Sequence, residues 1–287
     1  MPNDPLVCAI CLTRNRPEML KRAVRCWQAQ IYSSRLVILD NGTVPLHIDA
    51  GTLGLPAKYS DGFTGVHIVT GRAGSSIGAL RNEAIENVSR ARIGFPPADI
   101  IVHWDDDDLS HPNRIAEQVA LLQSSGAAVV GYRDLLFWDQ RKYAAARERH
   151  EHDIAVGGQA GGSVEGYVNE AWLFTDAPNH APGTTFAYWR KTWEHCKFSD
   201  LMAGEDGDWL RRVGWQNAET VSSLRAWPVS DEVEKVANIR GWTYACDPRM
   251  IATIHGANTC SKIMPNAPEW KRVPQWDITA RRMVEDA

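Results

Sequence analysis

The chain has 287 residues, 44% hydrophobic and 23% charged, a balance that builds an ordinary globular core and allows one or two domains. A net charge of -4 gives no overall basic footprint for a nucleic-acid binder, and no apolar run approaches the ~20 residues of a membrane-spanning helix. The N-terminal stretch MPNDPLVCAICLTRNRP has no basic segment ahead of a long apolar core, which sets the expectation of a cytoplasmic protein without a signal peptide.

LVCAICLT, from Leu6 to Thr13, is a continuous apolar run of strand length. Its Cys8 and Cys11 form a CxxC pair, but residues three apart on a strand point to opposite faces and cannot share a metal. With no second CxxC among the six cysteines, the thiols read as reduced and mostly buried. In RPEMLKRAVRCWQAQI, the apolar residues Leu20, Ala23, Val24, Trp27 and Ile31 make one helical face, with Pro17 suited to the first turn. RLVILDNG is a second buried strand ending in a turn, and GVHIVTG is a third. Helical spacing returns in SSIGALRNEAIENVSR at Ile77, Leu80, Ala84, Ile85 and Val88. DIIVHW is a fourth strand, Pro112 opens a helix that Gly126 closes, and AAVVGYRDLLFW is a fifth strand.

This alternation specifies an α/β fold: a Rossmann-like, mostly parallel sheet with helices on both faces. Ligands of such sheets bind outside the carboxyl ends of the strands. The polar clusters TRNRP, DNG, GRAGSS and DDDD follow the first four strands and converge on that edge.

Beyond about residue 140 the pattern changes. QRKYAAARERHEHD is charged and reads as helical, and AVGGQAGGSVEG carries five glycines in twelve residues. No GK[ST] follows it, so it is not a Walker-type phosphate loop, and it reads as a candidate lid. YVNEAWLFT and TTFAYWR read as strands, GEDGDWLRRVGW as a helix with an acidic first turn, and TYACDPRMIATIHG as a closing strand. Residues 263–287 read as an amphipathic tail.

Asp105 to Asp108 stand in a row after the fourth strand. Hard divalent cations such as Mg²⁺ or Mn²⁺ prefer carboxylate oxygens, and a tight turn aims alternate residues, Asp105 and Asp107, at one ion that offsets their repulsion. Asp106 reads as solvated, and Asp108 as a helper in capping the helix that Pro112 opens.

Taken in order, CLTRNRP, VILDNGT, GSSIGALRNEAI, HWDDDDLSHPNRI, GEDGDWLRR and IHGANTCSK resemble the motifs of the family 2 glycosyltransferases with the GT-A nucleotide-sugar fold. The resemblance is close over residues 6–135 and looser over 183–262. It implies a donor-binding half at 1–140, an acceptor-binding and catalytic half of the same domain at 141–262, and a tail at 263–287.

The resemblance also implies roles. Thr13 and Arg14 would line the nucleoside pocket and Asp40 would face the base, although Leu39-Asp40 stands where the family often has two aspartates. Arg81 would approach the diphosphate or the Asp105 cluster, with Arg72 a second phosphate candidate. Asp105 would contact ribose or metal, Asp107 would bind Mn²⁺ or Mg²⁺ between the phosphates, and His255 would complete the shell. Asp206, beside Glu205, would be the general base of an inverting transfer from a nucleotide-diphospho-sugar, UDP-sugar first among them, to an acceptor hydroxyl. Asp208, two residues on, faces elsewhere on a helix and reads as structural.

Trp172, Trp189 and Trp209 are candidates for acceptor stacking, and NHAPGTTFAYWR for the acceptor wall. The acceptor is open among a glycan, a lipid-linked sugar, a protein and a modified DNA base. The basic group Arg141, Lys142, Arg147 and Arg149 leaves room for an anionic one. A sugar-phosphate nucleotidyltransferase is the first rival, but it usually has a glycine-rich basic loop where this chain has TRNRP. A non-catalytic nucleotide-sugar or glycan-binding module is the second, and it would not need GED.

Overall fold

A computed structural model describes residues 4–43, 65–89, 96–141, 170–175, 182–214, 221–225, 250–255 and 270–272. The glycine-rich 155–166 stretch, Lys142, Arg147, Arg149, Cys246 and Cys260 lie outside them, as does the side chain of Trp172.

In the first half, β1 (Val7–Thr13), α1 (Pro17–Gln28), β2 (Arg35–Asp40), β3 (Val66–Thr70), α2 (Ile77–Ser89), β4 (Ile100–His103), β5 (Leu109–Ser110), α3 (Arg114–Ser125) and β6 (Val129–Asp139) follow one another. In the second half come β7 (Glu170–Thr175), a 3-10 turn (Gly183–Thr185), β8 (Ala187–Trp189), α4 (Arg190–His195), α5 (Glu205–Val213), β9 (Val221–Arg225), β10 (Met250–Ile254) and β11 (Trp270–Arg272). Among the described residues the strands join one eleven-stranded sheet, whose main path runs β11-β7-β6-β8-β4-β1-β2-β3. β1 pairs in parallel with β2 and β4, and β2 with β3, as apolar strands linked by crossover helices require. The second half adds antiparallel pairs, β8 against β4 and β6 against β7, and β10 returns parallel to β6 while pairing antiparallel with β5. The 263–287 tail contributes β11, an antiparallel partner of β7.

Residue alternation along β1 divides the core. Val7, Ala9 and Cys11 pack with Leu20, Val24 and Trp27 of α1 and Ile115 and Val119 of α3. Cys8 and Ile10 pack on the other side with Leu80, Ala84 and Ile85 of α2 and Trp209 and Leu210 of α5. Cys8 and Cys11 thus sit on opposite faces, and Cys8, Cys11, Cys26 and Cys196 are free thiols. Ile31 departs from the expected helical face: α1 ends at Gln28, and Ile31 is 51% exposed. α3 starts at Arg114, later than Pro112, and closes at Gly126, whose φ of 68° is the left-handed conformation glycine accepts. The short β5 and α4, which carry no clear period of their own, were not expected from the pattern, and neither were β9 and β11. Among the described residues no helix is long and apolar enough to cross a membrane.

Candidate active site

β4 ends at His103, and β5 begins at Leu109 and is anchored by β10. The four aspartates therefore occupy the link between β4 and β5, each paired with other strands, with the Trp104 indole N–H donating to the Ala23 carbonyl at 3.0 Å behind them. The compensating charge comes from the loop after β1. Asn15 turns the chain with φ 56°, donating from its own side chain to the Thr43 hydroxyl and accepting the Thr43 N–H at 3.1 Å. Arg16 then reaches Asp106 at 2.7 Å through Nη2 and Asp107 at 2.8 Å through Nη1. The Thr13 hydroxyl donates to Asp106 at 2.6 Å. Asp106 is 0% exposed, so the expectation of a solvated side chain is corrected: a buried carboxylate needs partners, and Arg16 and Thr13 supply them. Asp108 does not cap α3 either. Its oxygens accept from the Thr184 hydroxyl at 2.6 Å and the Thr253 N–H at 3.1 Å, while Asn113 occupies the N-cap.

Burial raises all of these carboxyls, and their neighbours then separate them. Burial and the charge of Asp107, opposed by Arg16, push Asp106 up to about 7. Burial with Asp107 and Asp105 holds Asp108 well above its ordinary range. For Asp107, burial is outweighed by the hydrogen bond to His255 and the charge of Arg16, so it lies below its ordinary value. His255 Nε2 is 3.2 Å from Asp107 Oδ2. One oxygen each of Asp105, Asp107 and Asp108 lie within 4.8 Å of one another, an all-carboxylate donor set that fits Mg²⁺ or Mn²⁺. His255 adjoins that trio through Asp107 and is not part of it.

The aspartates form one side of a cleft of about 420 Å³. Thr13, Arg14, Asn41 and Arg81 line it, and Pro182, Gly183, Met202, Glu205 and Asp206 stand on the second-half side. Arg81 is buried on α2, its Nε–H donating to Glu205 at 3.2 Å and its Nη2 lying 3.9 Å from Asp105. Its Nη1 is buried and has no hydrogen-bond partner among the described residues. Burial raises Glu205 and Arg81 opposes that rise. Asp206 is held differently: Oδ2 accepts the Gly183 N–H at 2.9 Å and Oδ1 the Gly207 N–H at 2.8 Å. Gly183 permits this approach, because a Cβ there would lie 2.5 Å from Asp206.

His103 secures the same turn. Burial and then the charge of Arg81 keep its imidazole well below the ordinary range, hence neutral. Its Nδ1–H donates to the Gly183 carbonyl at 2.7 Å and its Nε2 accepts from the Tyr188 hydroxyl at 3.1 Å.

The remaining expected residues divide. Asp40 is buried and accepts the Gly42 N–H at 2.8 Å, an Asx turn that brings Asn41 to the cleft wall. Arg72 is exposed and off the cleft wall, with its backbone N–H on Glu83 at 3.3 Å. Asp208 is structural as expected, pairing with Ser199 at 2.6 Å and Arg212 at 2.8 Å. Trp209 is fully buried and Trp189 packs against the core, so neither offers a stacking face in the cleft. Arg141 pairs with Asp139 at 2.8 Å. Sequence reasoning missed Arg16, Asn41, Asp108 and Thr184 as site residues. The usable signal for Arg16 was the need of a four-carboxylate turn for a nearby cation.

The family model for Glycosyl transferase family 2 matches residues 8–191, and no curated protein matches the chain. Among solved structures, S. aureus TarS 1-349 in complex with UDP superposes with a TM-score of 0.51 at 15% identity, covering 87% of this chain and 60% of that one. The complex of the same protein with UDP-GlcNAc gives 0.51 at 14%, covering 91% and 62%. The mannosyltransferase PcManGT from Pyrobaculum calidifontis, in complex with GDP-Man and Mn²⁺, gives 0.49 at 13%, covering 78% and 56%. The chain thus spans about three fifths of the TarS 1-349 chain it matches. With the fold shared with TarS and nearly two thirds of its length matched by the family model, the chain belongs to glycosyl transferase family 2 and has the GT-A fold.

Proposed function

We propose that this protein transfers a sugar from a nucleotide-diphospho-sugar, a UDP-sugar, to an acceptor hydroxyl with inversion at the anomeric carbon. The observation that carries the reading is the convergence in one cleft of the carboxylate trio, Arg81 and Asp206. UDP is the first choice because TarS, which shares the fold, was solved with UDP and with UDP-GlcNAc.

Thr13, Arg14 and Asn41 bind the nucleoside in this reading, and Arg81 meets the diphosphate. Asp105 and Asp107, joined by Asp108 and supported by His255, would hold Mn²⁺ or Mg²⁺. When bound, that cation would offset the charge of the leaving nucleoside diphosphate. Asp206 takes the acceptor proton as the hydroxyl oxygen attacks the anomeric carbon. The bond from that carbon to the diphosphate oxygen breaks, and the diphosphate leaves with the electron pair. The first 140 residues act as the donor half and residues 141–262 as the acceptor half. The location is cytoplasmic, a reading supported by the free thiols of Cys8, Cys11, Cys26 and Cys196.

Calorimetry with UDP tests the donor assignment. UDP binds more tightly with Mn²⁺ present than with EDTA, and Asp107→Ala removes most of that difference while remaining folded. Equal UDP affinity in both conditions for the parent protein overturns the metal assignment.

A further inference from the structure

The 3-10 turn Gly183–Thr185 is supported far beyond what a three-residue connection needs. Each of its three carbonyls accepts from a fully buried side chain. Gly183 accepts from His103 Nδ1 at 2.7 Å, Thr184 from Arg114 Nη2 at 2.8 Å, and Thr185 from Gln118 Nε2 at 2.5 Å. His103, Arg114 and Gln118 are all 0% exposed, and Arg114 also donates to the His103 carbonyl at 2.7 Å. Three buried polar side chains thus each direct a donor at this one turn. Such a turn is anchored at all three of its residues.

Its outward groups both go to cleft carboxylates. The Gly183 N–H donates to Asp206, and the Thr184 hydroxyl donates to Asp108 at 2.6 Å. Asp108 is thereby fixed at both oxygens, by Thr184 on Oδ2 and by the Thr253 N–H on Oδ1. A carboxylate has about four lone-pair sites, so two remain for a cation.

We propose that Thr184 is a metal-positioning residue: its hydroxyl sets the orientation in which Asp108 joins Asp105 and Asp107 in holding a divalent cation. The rigid turn ties that cation site to Asp206 through adjacent residues. The proposal rests on the metal-dependent reading above. Partners that orient metal ligands contribute ten- to a hundredfold to metal affinity.

The test is Mn²⁺ binding to the whole protein without donor or acceptor, followed by the electron paramagnetic resonance signal of free Mn²⁺, with thermal denaturation in parallel. Thr184→Val weakens Mn²⁺ binding by about tenfold or more, and Thr184→Ser, which keeps the hydroxyl, binds like the parent. Asp108→Asn weakens binding as well, and adding Thr184→Val to it causes no further loss, because the hydroxyl acts through that carboxylate. Thr184→Ala supplies a second hydroxyl-free variant if Thr184→Val unfolds. A parent that binds no Mn²⁺ removes the metal reading itself. A parent that binds Mn²⁺ alongside folded hydroxyl-free variants of equal affinity overturns the role of Thr184 alone. Additive losses in the double variant also overturn it.

Discussion

Glu205 and Asp206 are neighbours in sequence with opposite local attachments. Glu205 is buried against Arg81, whereas Asp206 is held by two backbone N–H groups on the cleft wall. Backbone donors fix a carboxylate's direction without pairing it to a charged side chain. Asp206→Asn should therefore lower transfer to acceptor by ~10²-fold or more, the range of a lost general base, while UDP affinity and melting temperature stay near parent values. Glu205→Gln should cost less in transfer, and should weaken donor binding because Arg81 loses its charged partner. If Glu205→Gln costs more in transfer than Asp206→Asn, the base is Glu205. At this scale the sequence made legible the meeting of Asp105, Asp107, Arg81 and Asp206 in one cleft, because each stands at a strand end or a helix turn. It did not make Asp106 legible. Its burial depends on Arg16, 90 positions earlier, and no local pattern states that two loops meet.

The elements around the site are joined where α2 meets the segment leading into α5. The Gly78 N–H donates to the Leu201 carbonyl at 3.1 Å, and the Asn82 amide binds both the N–H and the carbonyl of Phe198, at 3.1 and 2.9 Å. The Trp193 indole N–H adds 2.8 Å to the Asn82 oxygen. Asn82 follows Arg81, so one helical turn aims the arginine at the cleft and the amide at the loop that delivers Glu205 and Asp206. Gly78 sits in α2, where helix propensity alone favours alanine by ~1 kcal/mol. A Cβ there would lie 1.9 Å from the Ser199 carbonyl oxygen, a backbone atom that cannot swing aside. The clash wins: Gly78→Ala should be destabilising by ~1–3 kcal/mol in urea denaturation and should lower transfer by displacing the 199–204 segment. Unchanged or raised stability would mean that the segment yields freely. Helix periods made α1 and α2 legible, the proline and glycine at its two ends marked α3, and an acidic first turn marked α5. The two- and three-residue strands β5 and β11 were not, because pairing across the chain defines them and no period does.

Over the whole molecule, the site lies where the parallel half ends its strands, with β1 delivering Thr13 and β4 the aspartates, and the second half covers the opening with Gly183 and Asp206. The parallel half was readable from its alternation of apolar strand and amphipathic helix. The mixed pairing of β6, which takes β8 and β9 along its first part and β7 and β10 along its last, was not, because strand order within a sheet leaves no mark in one sequence. This architecture gathers six carboxylates, Asp105 to Asp108 with Glu205 and Asp206, in a cleft that is also the proposed seat of a diphosphate. Like charges so close hold the two occupants interdependent. The diphosphate is repelled by the aspartates unless a cation intervenes, and a cation gains ligands when the diphosphate arrives. Their binding should therefore be cooperative. A ligand at 100 times its Kd stabilises the native state by about 2.7 kcal/mol, which for a chain of this size raises Tm by roughly 4–5 °C. Mn²⁺ with UDP should reach that range in a thermal scan, and the joint shift should exceed the sum of the shifts from Mn²⁺ alone and UDP alone. Strictly additive shifts would show that metal and nucleotide occupy the protein independently, and the shared cleft would then hold only one of them.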